Sequence, residues 1–182
     1  MLVEMVVESV RVNLQTYQRV VVLKEKQADR YLPIWIGNNE ADAIVIQLQN
    51  VPVPRPQTHD LLKSVIQDLG ARVTSVVVNN LDSDVFFARV NLSLDGREVE
   101  VDSRPSDAIA LAVRVQAPIF AEEAVLEKAG VLLDNEAVAE GEQPEAATPA
   151  PREVREEEAK RLSVFRDFIN SLDLDDLDKG NK

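Results

Sequence analysis

The chain has 182 residues with no cysteine and one histidine, and no part of it is a long uninterrupted apolar run. Without cysteine there is no disulfide, no thiolate zinc site and no cysteine nucleophile. A transmembrane helix needs about 18 apolar residues in a row, so we expect no membrane span and no membrane partner. The first residues, Met1–Glu4, lack the basic segment and apolar run of a signal peptide, which predicts a cytoplasmic location.

Basic residues are also scarce, because 20 Lys and Arg stand against 32 Asp and Glu, a formal net charge of −12. A protein that binds nucleic acid by charge alone presents a basic face, so this balance argues against that class. The sequence has no glycine-rich phosphate loop, no serine nucleophile elbow and no histidine pair for zinc. Motifs of this kind therefore do not identify a reaction, and we expect no organic cofactor.

What is present divides near residue 135. Residues 1–134 contain the apolar runs of a globular core, whereas residues 135–151 are mostly Glu, Ala, Pro and Gly, which predicts a flexible linker. Residues 152–182 predict a C-terminal amphipathic helix followed by an acidic tail. The apolar stripe of that helix comprises Leu162, Phe165, Ile169 and Leu172.

Residues 1–134 show strands with interspersed helices, which predicts an α+β fold with a largely antiparallel sheet. The clearest element is a hairpin, in which an alternating strand over Val85–Leu94 leads into Asp95-Gly96, a two-residue turn signal. Folding about this turn pairs Leu94 with Arg97 and puts Val99 and Val101 on the predicted core face. Helices are predicted over residues 39–48, from an N-cap at Thr58 to residue 69, from Pro105 onward, and over residues 122–129.

Two polar segments stand at predicted helix starts. The first, Arg55–Asp60, contains the only histidine, and His59 is a candidate general base or metal ligand with Asp60 beside it. In the alternative interpretation Thr58 caps the helix, and Asp60 merely complements the helix dipole in the first turn. Spacing alone favours this structural interpretation.

The second polar segment is Asp102–Asp107. A helix start of this kind offers free N–H groups to an anion, and Arg104 would add a bidentate contact to phosphate. Alternatively the segment is a cap with an Arg–Asp pair. Glu40, near the start of another predicted helix, is either a site carboxylate or a complement to the helix dipole.

Four segments share their order and spacing with one protein family: Leu32–Gly37, Glu40–Ile44, Arg55–Leu62 and Ser103–Ala112. On these segments, residues 1–130 resemble the bifunctional nuclease family, also catalogued as a domain of unknown function. The resemblance implies a homodimeric α+β domain, with DNase and RNase activity ascribed to some members. The chain departs from the family pattern at Asn38-Asn39, where a more apolar pair is usual, and at Ser103, where alanine is usual.

The resemblance implies a set of site residues at matched positions: Glu40, Arg55, His59, Asp60, Arg104, Ser106 and Asp107. A bound Mg²⁺ or Mn²⁺ would offset the acidic charge that faces a polyanionic substrate. In the resulting hypothesis of a metal-assisted nuclease, three carboxylates bind the metal: Glu40, Asp60 and Asp107. Arg55, Arg104 and Ser106 then bind the substrate, and His59 is the base.

The rival hypothesis is a homodimeric binding or regulatory module without catalysis. Its polar helix starts would hold a small anion or a protein partner. An acidic chain in which aromatic and basic residues do not alternate favours this alternative.

Overall fold

The computed structural model describes residues 1–13 and 17–132. The predicted linker over residues 135–151 and the predicted helix and tail over residues 152–182 lie outside the described residues.

A mixed sheet of eight strands spans the described domain, with the strand order β6-β5-β4-β7-β1-β2-β3-β8. Its strands are β1 (Leu2–Val12), β2 (Arg19–Glu25), β3 (Arg30–Ile36), β4 (Ala71–Asp82), β5 (Val85–Leu94), β6 (Arg97–Ser103), β7 (Ile119–Glu122) and β8 (Val131–Leu132). β4 and β7 pair in parallel, and the other neighbouring pairs among these strands are antiparallel. The α+β prediction is confirmed.

Four helices connect these strands: α1 (Asn38–Leu48), α2 (Thr58–Asp68), α3 (Pro105–Val115) and α4 (Glu123–Ala129). The start of α2 differs from the prediction, because Gln57 is the N-cap and Thr58 is the first helical residue. The backbone N–H of Gln57 donates to Asp60 Oδ2 at 2.8 Å. The Asp60 carboxylate, in place of the Thr58 hydroxyl, therefore stabilises the start of α2.

The β5–β6 hairpin has the predicted register, with Leu94 opposite Arg97 and Val90 opposite Val101. Its burial differs from the prediction. Val90 is buried, but Val99 and Val101 are 38% and 44% exposed. β6 is an edge strand of the sheet, so it lies beyond the helices that cover β5.

The core lies between the sheet and its helices, and α3 is at its centre. Five successive residues of α3, Ala108–Ala112, are each at most 2% exposed. Both α1 and α2 pack against α3, which in turn packs against β4 and β5. Among the described residues, no helix is long and apolar enough to cross a membrane.

Candidate functional site

The N-terminal ends of α1, α2 and α3 meet through their side chains. Arg104, the N-cap of α3, donates from Nε to Asp107 Oδ2 at 2.7 Å and from Nη2 to Glu40 Oε1 at 2.8 Å. His59 Nε2 lies 3.1 Å from the other oxygen of Asp107. These four residues, Glu40, His59, Arg104 and Asp107, form what we call the Asp107 cluster. The structure thus joins four of the seven predicted site residues.

Local sequence explains how each helix delivers its residue. Glu40 is in the first turn of α1, and its carboxylate folds back over Gly37. A Cβ at position 37 would overlap that carboxylate, so a larger residue there would displace the end of the Glu40 side chain. Pro105 begins α3 where a missing N–H costs nothing, and this places Asp107 in the first turn.

The electrostatics of the cluster fix the direction of the His59–Asp107 hydrogen bond. Burial alone would raise the pKa of Asp107, but hydrogen bonds from Arg104 and His59 outweigh it and hold that pKa below its ordinary value of 3.8. Asp107 is therefore an anion at neutral pH and can only accept hydrogen bonds. Nε2 of His59 must carry the proton that it shares with Asp107, so Nδ1 is the acceptor nitrogen of the neutral ring.

Arg104 is the cation of the cluster and remains largely accessible. Hydrogen bonds to Asp107 and Glu40 raise its pKa above the ordinary value. Its side chain is 66% exposed, whereas that of Glu40 is 18% exposed. A charged, solvent-facing guanidinium held by two carboxylates is a fixed contact point for an incoming anion.

Asp60 belongs to a different network. Its Oδ1 accepts from Arg114 Nε at 2.7 Å, and the Arg114 side chain is only 2% exposed. Burial would raise the pKa of Asp60, but the Gln57 N–H and Arg114 together lower it below 3.8. Arg114 also donates from Nη1 to the carbonyl of Ala110 at 2.9 Å. This network ties α2 to α3, a role for Asp60 that the sequence did not predict.

The two remaining predicted residues, Arg55 and Ser106, take no part in these two hydrogen-bond networks of the described residues. Ser106 is 6% exposed and lies beside Arg104 at the start of α3. Arg55 is exposed in the segment between α1 and α2, and within the described residues no hydrogen bond or ion pair ties it to the cluster.

The predicted metal ligands do not form one set. Across residues 1–13 and 17–132, no three His, Cys, Asp or Glu side chains come together as a group that could hold a metal ion. Asp60 is paired with Arg114, while Glu40 and Asp107 both face the guanidinium of Arg104. The residues as placed do not fit a shared Mg²⁺ or Mn²⁺, and metal dependence stays a prediction.

Sequence reasoning missed Arg114, and the signal for it was available. Arg114 is the one charged residue in the apolar run from Ala108 to Val115. A buried arginine is rare unless it is paired, so a charge within an apolar helix points to a carboxylate partner on a neighbouring element.

A groove beside the cluster was also missed. It has a volume of about 410 Å³ and lies between the β3 end, the β4–β5 turn and the start of α3. Its lining includes Arg19, Trp35, Phe86 and Arg104. Trp35, the only tryptophan, is 45% exposed between two apolar neighbours. An aromatic residue at such a position in a matched motif was the signal that could have indicated the groove.

Fold and site together define the class of protein. It is an α+β domain in which an Asp–His pair and an arginine meet where three helices begin. The Asp–His pair is suited to proton transfer, and the arginine is suited to anion binding. The family model described as the bifunctional nuclease domain matches residues 21–134. The chain belongs to the bifunctional nuclease domain family.

Relatives of two kinds are similar to this chain. An uncharacterized protein of Mycobacterium tuberculosis is 42% identical over 173 residues, which cover 95% of this chain and 96% of the relative. Bifunctional nuclease 1 of Oryza sativa subsp. indica is 29% identical over 106 residues, which cover 57% of this chain and 32% of the relative. Bifunctional nuclease 2 of Arabidopsis thaliana is 30% identical over 110 residues, covering 59% and 33%. The chain thus matches about a third of each plant nuclease.

Proposed function

We propose that this protein hydrolyses phosphodiester bonds of DNA, RNA or both, and that the Asp107 cluster is its active site. The observation that carries the proposal is the hydrogen bond between His59 and an ionised Asp107, with the exposed cation of Arg104 on the same carboxylate. Membership of the family and the names of the plant relatives support this reaction class.

Each residue has a role that follows from its contacts. Asp107 orients the His59 ring through Nε2, within the described residues no hydrogen bond engages Nδ1, and Nδ1 takes a proton from the attacking water. As the water oxygen bonds to phosphorus, the bond to the leaving oxygen breaks and that oxygen takes a proton from solvent, while His59 returns the proton that it accepted to solvent. Arg104 binds the phosphate and stabilises the charge that develops on it. Glu40 positions Arg104 from α1.

The test is cleavage of labelled single- and double-stranded DNA and RNA by highly purified protein. Each substrate is incubated with Mg²⁺, with Mn²⁺ and with a chelator, beside a His59→Ala/Asp107→Ala double variant prepared in the same way. Cleavage by the wild type that the double variant loses supports the proposal, and the three conditions show whether a divalent metal is required. Equal cleavage by both proteins points to a contaminating nuclease and contradicts the proposed active site.

A second candidate function is a binding or regulatory module without turnover. The observation that favours it is that the guanidinium of Arg104 is already paired with two carboxylates, those of Glu40 and Asp107. Such internal pairing is also what a purely structural network shows. Nucleic-acid or anion binding by a protein that cleaves none of the substrates above would favour this candidate.

We also propose that the protein is a homodimer. Helix α2 and its C-cap residue Leu69 present an apolar stripe to solvent, in which Leu61, Val65 and Leu69 are 60%, 45% and 71% exposed. These residues are four apart and therefore lie on one side of the helix. An exposed apolar face of this kind is typical of an interaction surface, and a second copy of the chain is the partner that the family resemblance implies.

A further inference from the structure

We propose that the groove beside the Asp107 cluster binds a single-stranded nucleic acid, with one unpaired base stacked on Trp35 and the adjoining phosphates held by Arg19 and Arg104. This inference rests on the proposed function, since it names the form of the substrate and how the substrate reaches the same site.

The lining of the groove contains both groups that single-stranded recognition requires. Trp35 is 45% exposed and offers an aromatic surface, with Phe86 also in the lining. Arg19 and Arg104 line the groove together with Asp84, and both arginines also pair with carboxylates outside the lining. Aromatic platforms combined with cationic contacts to phosphate bind single strands regardless of sequence, because every base has a flat face to stack. The groove thus supplies an aromatic surface and two arginine side chains on a domain that is acidic overall.

Arg104 connects the groove to the reacting centre. It lines the groove and also holds Asp107, the partner of His59. Its Nε and Nη2 are engaged with carboxylates, and within the described residues Nη1 makes no hydrogen bond. A phosphate on this nitrogen would therefore lie next to the His59–Asp107 pair.

Arg19 has unused hydrogen-bonding capacity as well. Its Nε is buried without a hydrogen-bond partner among the described residues, and its Nη2 is 3.9 Å from Asp42, a long ion pair. The Nε itself is enclosed, but the side chain as a whole is 31% exposed, so a phosphate in the groove would pair with the terminal nitrogens of the guanidinium. Two arginines facing one groove then bind successive phosphates of one strand.

The size of the groove selects against a duplex. A volume of about 410 Å³ is at the lower end of small-ligand sites, which suits a nucleotide unit rather than a double helix. A paired base is enclosed in its own stack and cannot lay its face on Trp35 without leaving the helix. Single strands, loops and frayed ends are the forms that present such a base.

The test uses the fluorescence of Trp35, which is the only tryptophan in the chain. The full-length protein is titrated with a thymidine decanucleotide and with a blunt duplex, in chelator, and the nucleic acid is sized afterwards to verify that it is intact. We expect the single strand to quench the fluorescence and to bind roughly tenfold or more tightly than the duplex. Two phosphate contacts predict a slope of log affinity against log salt of about −1.4, which Arg19→Gln reduces to about −0.7.

Variants separate stacking from folding, with a labelled decanucleotide and fluorescence anisotropy as the readout. Trp35→Leu should weaken binding roughly tenfold or more, and Trp35→Phe should restore most of it, because phenylalanine keeps an aromatic face. The matched control is Phe87→Leu, at an exposed strand position whose side chain is not in the groove lining. This control should bind as the wild type does.

Three results would overturn the inference: no fluorescence change at saturating decanucleotide, wild-type affinity in Trp35→Leu, or fluorescence that varies with protein concentration alone and ignores nucleic acid. The last would mean that a second copy covers the groove. Failure of the proposed function gives a different pattern, in which the decanucleotide quenches Trp35 and binds but no substrate is cleaved under any metal condition.

Discussion

Asp107 accepts one hydrogen bond from His59 on α2 and another from Arg104 at the start of its own helix. A single carboxylate thereby sets the orientation of both the proposed base and the proposed phosphate contact. The sequence identified all three residues, because they lie in motifs at predicted helix starts. It did not show that Asp60, adjacent to His59, points to Arg114 instead, because successive residues on a helix face different directions.

Arg104→Lys is expected to lower cleavage roughly tenfold or more, because an ammonium cannot contact Glu40, Asp107 and a phosphate from one planar group. The change should leave the melting temperature nearly unchanged, since the side chain is 66% exposed. Arg97→Lys at the exposed start of β6 is the matched control and should retain full cleavage. Wild-type cleavage by Arg104→Lys would show that charge alone is sufficient at this position.

Stability in acid should depend on Asp107. Its pKa is lower in the folded protein than the ordinary 3.8, so the unfolded chain binds the proton more readily. The stabilisation is complete above about pH 5 and is lost as the pH falls through 3.8 toward the lower folded value. Urea unfolding between about pH 6 and pH 2.5 should show a shallower acid decline for Asp107→Asn than for the wild type. Parallel declines would contradict the assigned direction of the shift.

At the scale of elements, the Asp60–Arg114 pair fastens α2 to α3. Asp60→Ala should lower the free energy of unfolding by about 3 kcal/mol, because it leaves a guanidinium that is 2% exposed without its carboxylate. Asp60→Leu/Arg114→Met should cost less, about 1 kcal/mol, since no buried charge is left unpaired and mainly the acceptor of the Gln57 N–H is lost. Urea denaturation of the wild type and the two variants measures both effects. A double variant less stable than Asp60→Ala would contradict this view.

The sequence predicted individual helices and strands better than the contacts between them. The β5–β6 register followed from local alternation and a two-residue turn, and the start of α3 followed from Pro105. The contact between Glu40 and Arg104 joins residues 64 positions apart, and local patterns carry no information about such a distance. The exposure of Val99 and Val101 was missed for the same reason, because strand order decides which strand is the edge.

At the scale of the whole molecule, the dimer proposal predicts that a charge on the α2 stripe separates the copies. Val65→Glu should shift the mass in solution from dimer to monomer, because a buried unpaired carboxylate opposes association. Gln67→Glu adds the same charge at an exposed polar position of the helix and should remain a dimer. Sedimentation of the full chain distinguishes them. A monomeric wild type, or a dimeric Val65→Glu, would rule out this interface.

The proposed role of the His59–Asp107 pair in hydrolysis is tested most directly by the cleavage rate of a 5′-labelled single-stranded oligonucleotide by His59→Gln. The wild type and Asp102→Asn, which changes an exposed carboxylate outside the Asp107 cluster, are prepared and assayed in parallel. For His59→Gln we expect a loss of roughly 100-fold or more, with the wild-type rate in Asp102→Asn and similar melting temperatures for all three. A His59→Gln protein that cleaves at the wild-type rate would rule out this role.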